Sequence, residues 1–162
     1  MLSDSSETAY QLCGFYYNIK VALQKIFLNA QLIYDRQNTS CASEKEEENS
    51  LFSFLIEVIE VFDIELNTLI YAFILLSKLS QNKREILISQ SNIYLITYIS
   101  IIVSTKMLQD ESFIEEELGN FIGITSKELS LLEAQFLEAL KYDVFVNEDL
   151  FKMYKNIIIL KF

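Results

Sequence analysis

The spacing of apolar residues predicts that this chain is a succession of α-helices. Between Leu51 and Phe62 apolar residues recur every three or four positions, and the same spacing follows Asp63 as far as Leu79. Aspartate commonly caps the first turn of a helix. The pattern therefore predicts one helix in each segment, with Asp63 at the start of the second.

The next segment, from Ser91 to Leu108, is apolar on nearly every side. Its polar positions form only a thin stripe of Thr97, Ser100 and Ser104. A helix that is apolar all round must be covered by other helices, so this third helix is predicted to be the buried centre of a bundle. A membrane-spanning helix is the alternative, but the small polar residues and the lack of aromatic and basic flanks favour burial within the protein.

Short capping sequences predict where the later helices begin and end. In each of Ser112–Glu115 and Thr125–Glu128 a hydroxyl residue precedes a glutamate by three positions, which is the capping-box pattern. Gly123 is suited to end the fourth helix. The fifth helix is predicted to run to Asp143, and Asn147–Asp149 to cap a sixth.

Composition and periodicity together predict an all-α chain with four segments. The chain has 162 residues, three glycines and no proline, which favours helices over a sandwich or barrel. Residues 1–35 are predicted to form an N-terminal helix, which either packs on the main domain or helps to bind a partner. Residues 36–50 contain a charged run and are predicted to be a solvated loop. The main domain is predicted at residues 51–146, and a C-terminal helix packing on it at residues 147–162.

The charge and the missing residue types exclude several functions. The formal net charge of −10 argues against nucleic-acid binding, which depends on Lys and Arg contacts to phosphates. There is no histidine and no glycine-rich phosphate loop. Cys13 and Cys41 lack the spacing of a zinc site. We therefore expect a binding protein without enzymatic activity, cofactor or metal.

Two further features of composition concern location and surface. The few cysteines and the absence of a signal-like N-terminus predict an intracellular protein, cytoplasmic or nuclear. Adjacent or nearby carboxylates, such as Glu57 with Glu60 and Glu115 with Glu116, are interpreted as solvated helix faces.

Two charged residues occupy apolar surroundings, where a charge needs a partner. Lys106 follows Ile102 and Val103 near the end of the third helix, and Glu133 lies within the apolar stripe of the fifth helix. Lys106 could instead complement the helix dipole, and Glu133 could form an intramolecular ion pair, including one with Lys106. The residues alone leave these alternatives open.

An ordered set of short sequences resembles the cyclin box, most closely that of the P/U-type cyclins of the phosphate-pathway group. These sequences are Ser104–Leu108, Asp110, Asn120–Thr125, Glu128–Leu137 and Leu140–Val144. The resemblance covers roughly Leu51 to Tyr154. It implies a five-helix bundle around a buried third helix, which agrees with the bundle that the apolar spacing predicts.

The resemblance also implies a function and a set of contact residues. Cyclins bind a cyclin-dependent protein kinase and activate it by stabilising the active position of its mobile helix, so we expect a monomer or a heterodimer with a kinase. The alternative is a helical scaffold of cyclin fold that binds another protein without activating a kinase. The kinase contacts that the resemblance implies are Lys106, Glu133, Met107, Val103, Lys127, Leu137, Tyr142 and Val144.

Overall fold

A computed structural model describes residues 44–82, 92–109 and 115–160 of the chain. All regular secondary structure in these ranges is helical, which confirms the all-α prediction. The six helices are α1 (Glu44–Phe62), α2 (Leu66–Gln81), α3 (Ile93–Leu108), α4 (Glu115–Ile122), α5 (Ser126–Ala139) and α6 (Glu148–Leu160). The predicted helix in residues 1–35 and the first capping-box serine lie outside the described residues.

The described residues belong to two compact units. One unit contains α1, α6 and the start of α2 as far as Ile70, and the other is the segment Tyr71–Asn147. Helices α3, α4 and α5 therefore lie wholly in the second unit, together with most of α2. The predicted domain boundaries at residues 51 and 146 stay predictions.

Helix α1 begins earlier than the apolar spacing predicts. It starts at Glu44 rather than Leu51, so the prediction of a loop through residue 50 is wrong for residues 44–50. Glutamate and lysine have high helix propensity, and carboxylates near a helix N-terminus interact favourably with its dipole. A charged run can therefore form the first turns of a helix without apolar residues to bury.

Asp63 ends α1 rather than starting α2. Its φ of +49° lies in the left-handed region, and the amide of the next residue, Ile64, donates to the carbonyl of Ile59 at 3.1 Å. A hydrogen bond from an amide to the carbonyl five residues earlier is characteristic of a Schellman C-cap. Aspartate adopts the left-handed conformation more readily than most residues. Asp63 can therefore end the preceding helix. Helix α2 starts only at Leu66.

Helix α3 is buried on every side, which confirms the prediction for the third helix. All ten residues from Ile96 to Thr105 are buried. The Ser100 hydroxyl donates to the carbonyl of Ala72 on α2 at 2.8 Å, and the Ser104 hydroxyl donates to the Ser100 carbonyl at 2.7 Å. The polar stripe thus satisfies its hydrogen bonds internally, as buried polar groups must.

Membrane insertion is the alternative that the apolar third helix raised. Across residues 44–82, 92–109 and 115–160, no helix combines the length and the apolar content that a bilayer crossing requires.

A tight corner joins α4 to α5. Gly123 ends α4 with a φ of +75°, and the next amide, Ile124, donates to the Gly119 carbonyl at 2.9 Å. Thr125 then caps α5: its hydroxyl accepts from the Glu128 amide at 3.2 Å, and the Glu128 carboxylate accepts from the Thr125 amide at 2.8 Å. The predicted glycine stop and the second capping box are both confirmed.

The side chain of Tyr98 fastens α4 to α3. Its hydroxyl donates to the Leu118 carbonyl at 2.7 Å, and its ring stacks on that of Phe121 with centroids 5.8 Å apart. Burial raises the pKa of Tyr98 above its usual range, so the hydroxyl stays a proton donor at any ordinary pH. Helix α5 packs against both α3 and α4, which brings the end of α3 close to the middle of α5.

Candidate functional site

The two charges in apolar surroundings pair with each other. Lys106 lies in the last turn of α3, and its Nζ is 2.8 Å from Oε2 and 2.9 Å from Oε1 of Glu133 on α5. The Glu133 side chain is only 12% exposed. The intramolecular ion pair that the sequence left open as one alternative is therefore present. A pair of this kind can still bind a partner through its unused hydrogen-bonding capacity.

Glu115 is a third member of this charge cluster. At the first position of α4, its Oε1 lies 3.2 Å from Lys106 Nζ, and its Oε2 accepts from the hydroxyl of Ser130 at 3.2 Å. Glu115 is exposed, as its interpretation as part of a solvated helix face states, but its carboxylate also pairs with Lys106. No signal in the sequence could have found this contact, because it depends on how α3 and α4 lie relative to each other in the folded chain.

The cluster shifts the pKa of two of its members. Partial burial acts to lower the pKa of Lys106, but the hydrogen bonds and charges of Glu133 and Glu115 outweigh it, so the pKa of this lysine is raised. The hydrogen bond and charge of Lys106, helped by Ser130, lower the pKa of Glu115. Both shifts favour the charged forms of Lys106 and Glu115.

The shift on Glu115 predicts how stability depends on pH. Because its folded pKa lies below the ordinary value of 4.5, the interaction stabilises the protein above that pH and is lost as the pH falls through the folded pKa. We expect Glu115→Gln to lower the free energy of unfolding at pH 7 by about 0.5 kcal/mol, the scale of exposed ion pairs. At pH 3 the variant and the wild type should converge in urea titrations.

The matched control is Glu116→Gln, which changes the same charge at the adjacent, exposed position of α4. It should leave both the stability at pH 7 and the pH profile close to those of the wild type. A Glu115→Gln deficit that persists unchanged at pH 3 would contradict the ionic origin of the effect.

The apolar contacts that the resemblance implies fall into two groups. Val103 is 5% exposed and lies in the core, so it offers no surface to a partner, because it is on the face of α3 that neighbouring helices cover. Met107 is exposed beside the charge cluster. On α5, Lys127 is exposed and Leu137 is half-buried. Of these implied contacts, Met107 and Lys127 are therefore exposed and Leu137 is partly exposed, whereas Val103 is not.

Helix α5 ends at Ala139, four residues before the predicted end at Asp143. Two residues beyond the helix, Lys141 and Tyr142, have φ values of +54° and +58°. Left-handed conformations cost non-glycine residues about 1–2 kcal/mol each. Asn82, the residue just after α2, also binds a carbonyl at this end, since its Nδ2 donates to the Ala139 carbonyl at 3.3 Å.

The residues after this turn carry two exposed aromatic side chains. Tyr142 is 69% exposed and Phe145 is 73% exposed, whereas Val144 between them is half-buried. Sequence reasoning identified Tyr142 and Val144 but missed Phe145. Its signal would have been a phenylalanine outside any predicted helix, within reach of a residue already singled out.

The left-handed turn predicts an unusual effect of glycine. Lys141→Gly removes the steric cost at a φ of +54° and should raise the free energy of unfolding by about 0.5–1 kcal/mol, because relief of strain exceeds the added chain entropy. The control Glu138→Gly, at an exposed position of α5, should lower it by about 1 kcal/mol. Urea unfolding measures both, and a loss of stability in Lys141→Gly would refute the strain at this turn.

Comparison with known proteins agrees with the all-helical fold. A family model described as Cyclin matches residues 30–144, well over half of the chain. The chain therefore belongs to the cyclin family. The match begins N-terminal to the predicted domain start at residue 51 and ends close to the predicted boundary at residue 146.

The chain is also similar to Cyclin-U4-3 of Arabidopsis thaliana, with 26% identity over 105 residues. The aligned region covers 65% of this chain and 48% of that protein, so the chain spans about half the length of this curated relative. The predicted resemblance to the P/U-type cyclins is confirmed. A search of solved structures gave no significant match.

Proposed function

We propose that this protein is a non-catalytic regulatory subunit that binds and activates a cyclin-dependent protein kinase. The observation that carries the proposal is the meeting of Lys106 and Glu133, 27 residues apart in sequence, at the surface edge of α3 and α5. The family resemblance assigns kinase contacts to these two positions. The proposal also implies an intracellular protein, because its partner acts in the cytoplasm or nucleus.

Activation follows from a shift between two forms of the kinase. A kinase whose mobile helix is displaced lacks the ion pair between its active-site lysine and glutamate and is inactive. A rigid surface that binds only the helix-in form stabilises that form by its difference in affinity for the two. Moving such an equilibrium from about 1:99 to 99:1 requires roughly 5.5 kcal/mol of differential binding, so the surface needs several strong contacts.

The charge cluster can supply two of these contacts without coming apart. Each oxygen of Glu133 accepts one bond from Lys106, and a carboxylate has about four acceptor sites. Glu133 can therefore accept a backbone N–H of the kinase while the pair stays intact. The ammonium has three N–H groups, and all three are directed at carboxylates.

Lys106 must therefore release one carboxylate before it donates to a kinase carbonyl. The carboxylate released is that of Glu115, because its bond is the longer one, at 3.2 Å, and its side chain is far more exposed than that of Glu133. Release costs little, since exposed ion pairs contribute at most about 1 kcal/mol. In this proposal Glu115 holds the lysine in the free protein and yields it to the kinase.

The apolar part of the contact comes from exposed side chains in the same unit of the chain. Met107 adjoins Lys106, and Tyr142 and Phe145 are exposed after α5. Aromatic residues and methionine are enriched at the cores of protein interfaces. We add Phe145 to the implied contacts and remove Val103, which is buried.

The decisive experiment uses the purified full chain and native extract. We expect the chain to co-purify with a cyclin-dependent kinase identified by mass spectrometry, and to raise the phosphorylation of a peptide by that kinase when the purified proteins are mixed. Co-purification without activation would support the helical scaffold instead. If no protein kinase is retained at low salt, the proposed function is wrong.

A further inference from the structure

Lys78 makes an unusual set of contacts that the charge cluster does not use. Near the end of α2, its Nζ donates to Asp143 Oδ1 at 2.9 Å, to the Phe145 carbonyl at 2.8 Å and to the Asp143 carbonyl at 3.3 Å. A lysine ammonium has three N–H donors, so one short segment occupies all of them. The side chain is only 19% exposed, whereas lysines usually extend into solvent.

A second side chain of α2 donates a hydrogen bond to the same segment, residues 143–145. The buried Tyr71 donates its hydroxyl to the Val144 carbonyl at 2.6 Å. Burial raises the pKa of Tyr71, and a backbone hydrogen bond with Val146 opposes this shift. Tyr71 and Lys78 are two turns apart on one face of α2, so together they bind three successive carbonyls, those of residues 143–145.

The segment that Lys78 and Tyr71 bind directly follows the two left-handed residues. Lys141 and Tyr142 adopt a conformation that non-glycine residues rarely take. Such conformations persist only where the surrounding contacts determine them, and they are concentrated at functional sites. Contacts from Lys78 to the residues just after Tyr142 fix the direction in which the chain leaves the turn, and with it the exposed position of the Tyr142 ring.

We infer that Lys78 is a positioning residue that presents Tyr142 to the partner kinase. This inference rests on the proposed function, in which Tyr142 belongs to the apolar part of the contact. Without Lys78 the segment would sample several conformations. Binding would then have to order it, which lowers affinity because ordering costs conformational entropy.

The test is a double-mutant cycle on kinase affinity. Lys78→Met keeps the aliphatic stem and removes the charge, and we expect it to weaken the Kd for the activated kinase about tenfold, the scale of one well-ordered aromatic contact. Lys78→Arg should restore most of the affinity. In a Tyr142→Ala background Lys78→Met should have no further effect, because the group that it positions is absent.

A kinase-free measurement accompanies the cycle. Hydrogen exchange at the amides of Tyr142 and Asp143 should accelerate in Lys78→Met and return towards the wild-type rate in Lys78→Arg. Equal loss of affinity in both backgrounds, or unchanged exchange in Lys78→Met, would overturn the positioning role. A wild-type chain that binds no kinase would instead overturn the proposed function and, with it, the role of Lys78 in binding.

Discussion

Kinase activation is expected to be lost when Glu133 is replaced by lysine. The substitution removes the carboxylate that bonds Lys106 through both oxygens and places a second ammonium group beside Lys106, at a position that is only 12% exposed. Truncating or reversing one member of a buried charge pair at an interface costs roughly 2–5 kcal/mol. Activation of the cognate kinase should therefore fall at least about thirtyfold in a peptide phosphorylation assay.

The matched control is Glu138→Lys, which makes the same charge change at an exposed position of the same helix, α5. It should activate the kinase like the wild type. The helical circular dichroism of Glu133→Lys should stay near that of the wild type, which separates a lost contact from an unfolded protein. Normal activation by this variant would rule out Glu133 as a kinase contact.

Exchanging the two charges distinguishes the two roles of the pair. In Lys106→Glu combined with Glu133→Lys, the ion pair can form again in the opposite sense. If the pair only stabilises the fold, the double variant should recover both stability and activation. If it contacts the kinase backbone, stability should recover while activation stays low, because donor and acceptor face the wrong kinase groups. We expect the second result.

The largest expected loss of stability follows from Gly119→Ala. A Cβ at this position of α4 would lie 2.6 Å from the carbonyl oxygen of Ile124, closer than real Cβ atoms come to backbone. That carbonyl belongs to the corner that the Gly123 and Thr125 caps hold in place, so it cannot move without disturbing both helix ends. We expect the free energy of unfolding to fall by about 2–3 kcal/mol.

Gly123→Ala is the companion measurement. It meets no atoms within 4 Å but must keep a φ of +75°, so it should cost about 1–2 kcal/mol from backbone strain alone. Urea unfolding of the two variants separates the effects, because Gly119→Ala reports the steric clash and Gly123→Ala reports the backbone strain. If Gly119→Ala is no less stable than Gly123→Ala, the close approach at this corner does not limit stability.

The capping box at the start of α5 and the glycine at the end of α4 could be predicted from the sequence. Both depend on groups within a few residues of one another, such as Thr125 with Glu128. The burial of α3 was also predictable, because no face of that helix is polar enough to meet water. Lys106 and Glu133 could be singled out because a charge among apolar positions is costly wherever the chain folds.

Glu44 shows that even a local feature can be misjudged. The charged run has good helix propensity, but it contains no apolar residues, so the spacing of apolar residues gives no signal there. The criterion that identified the other helices therefore placed the start of α1 too late.

Only the tertiary structure determines which residues pair with Lys106 and Glu133 and where α5 ends. Glu115 pairs with Lys106 because the start of α4 lies near the end of α3 in the folded chain. The end of α5 depends on contacts from α2 that span 65 residues for Lys78 and 73 for Tyr71. Local sequence sets helix propensity and caps over a few residues, whereas these contacts exist only after the helices have packed. The conformation of the turn after α5, which carries the exposed Tyr142 and Phe145, is therefore determined by packing.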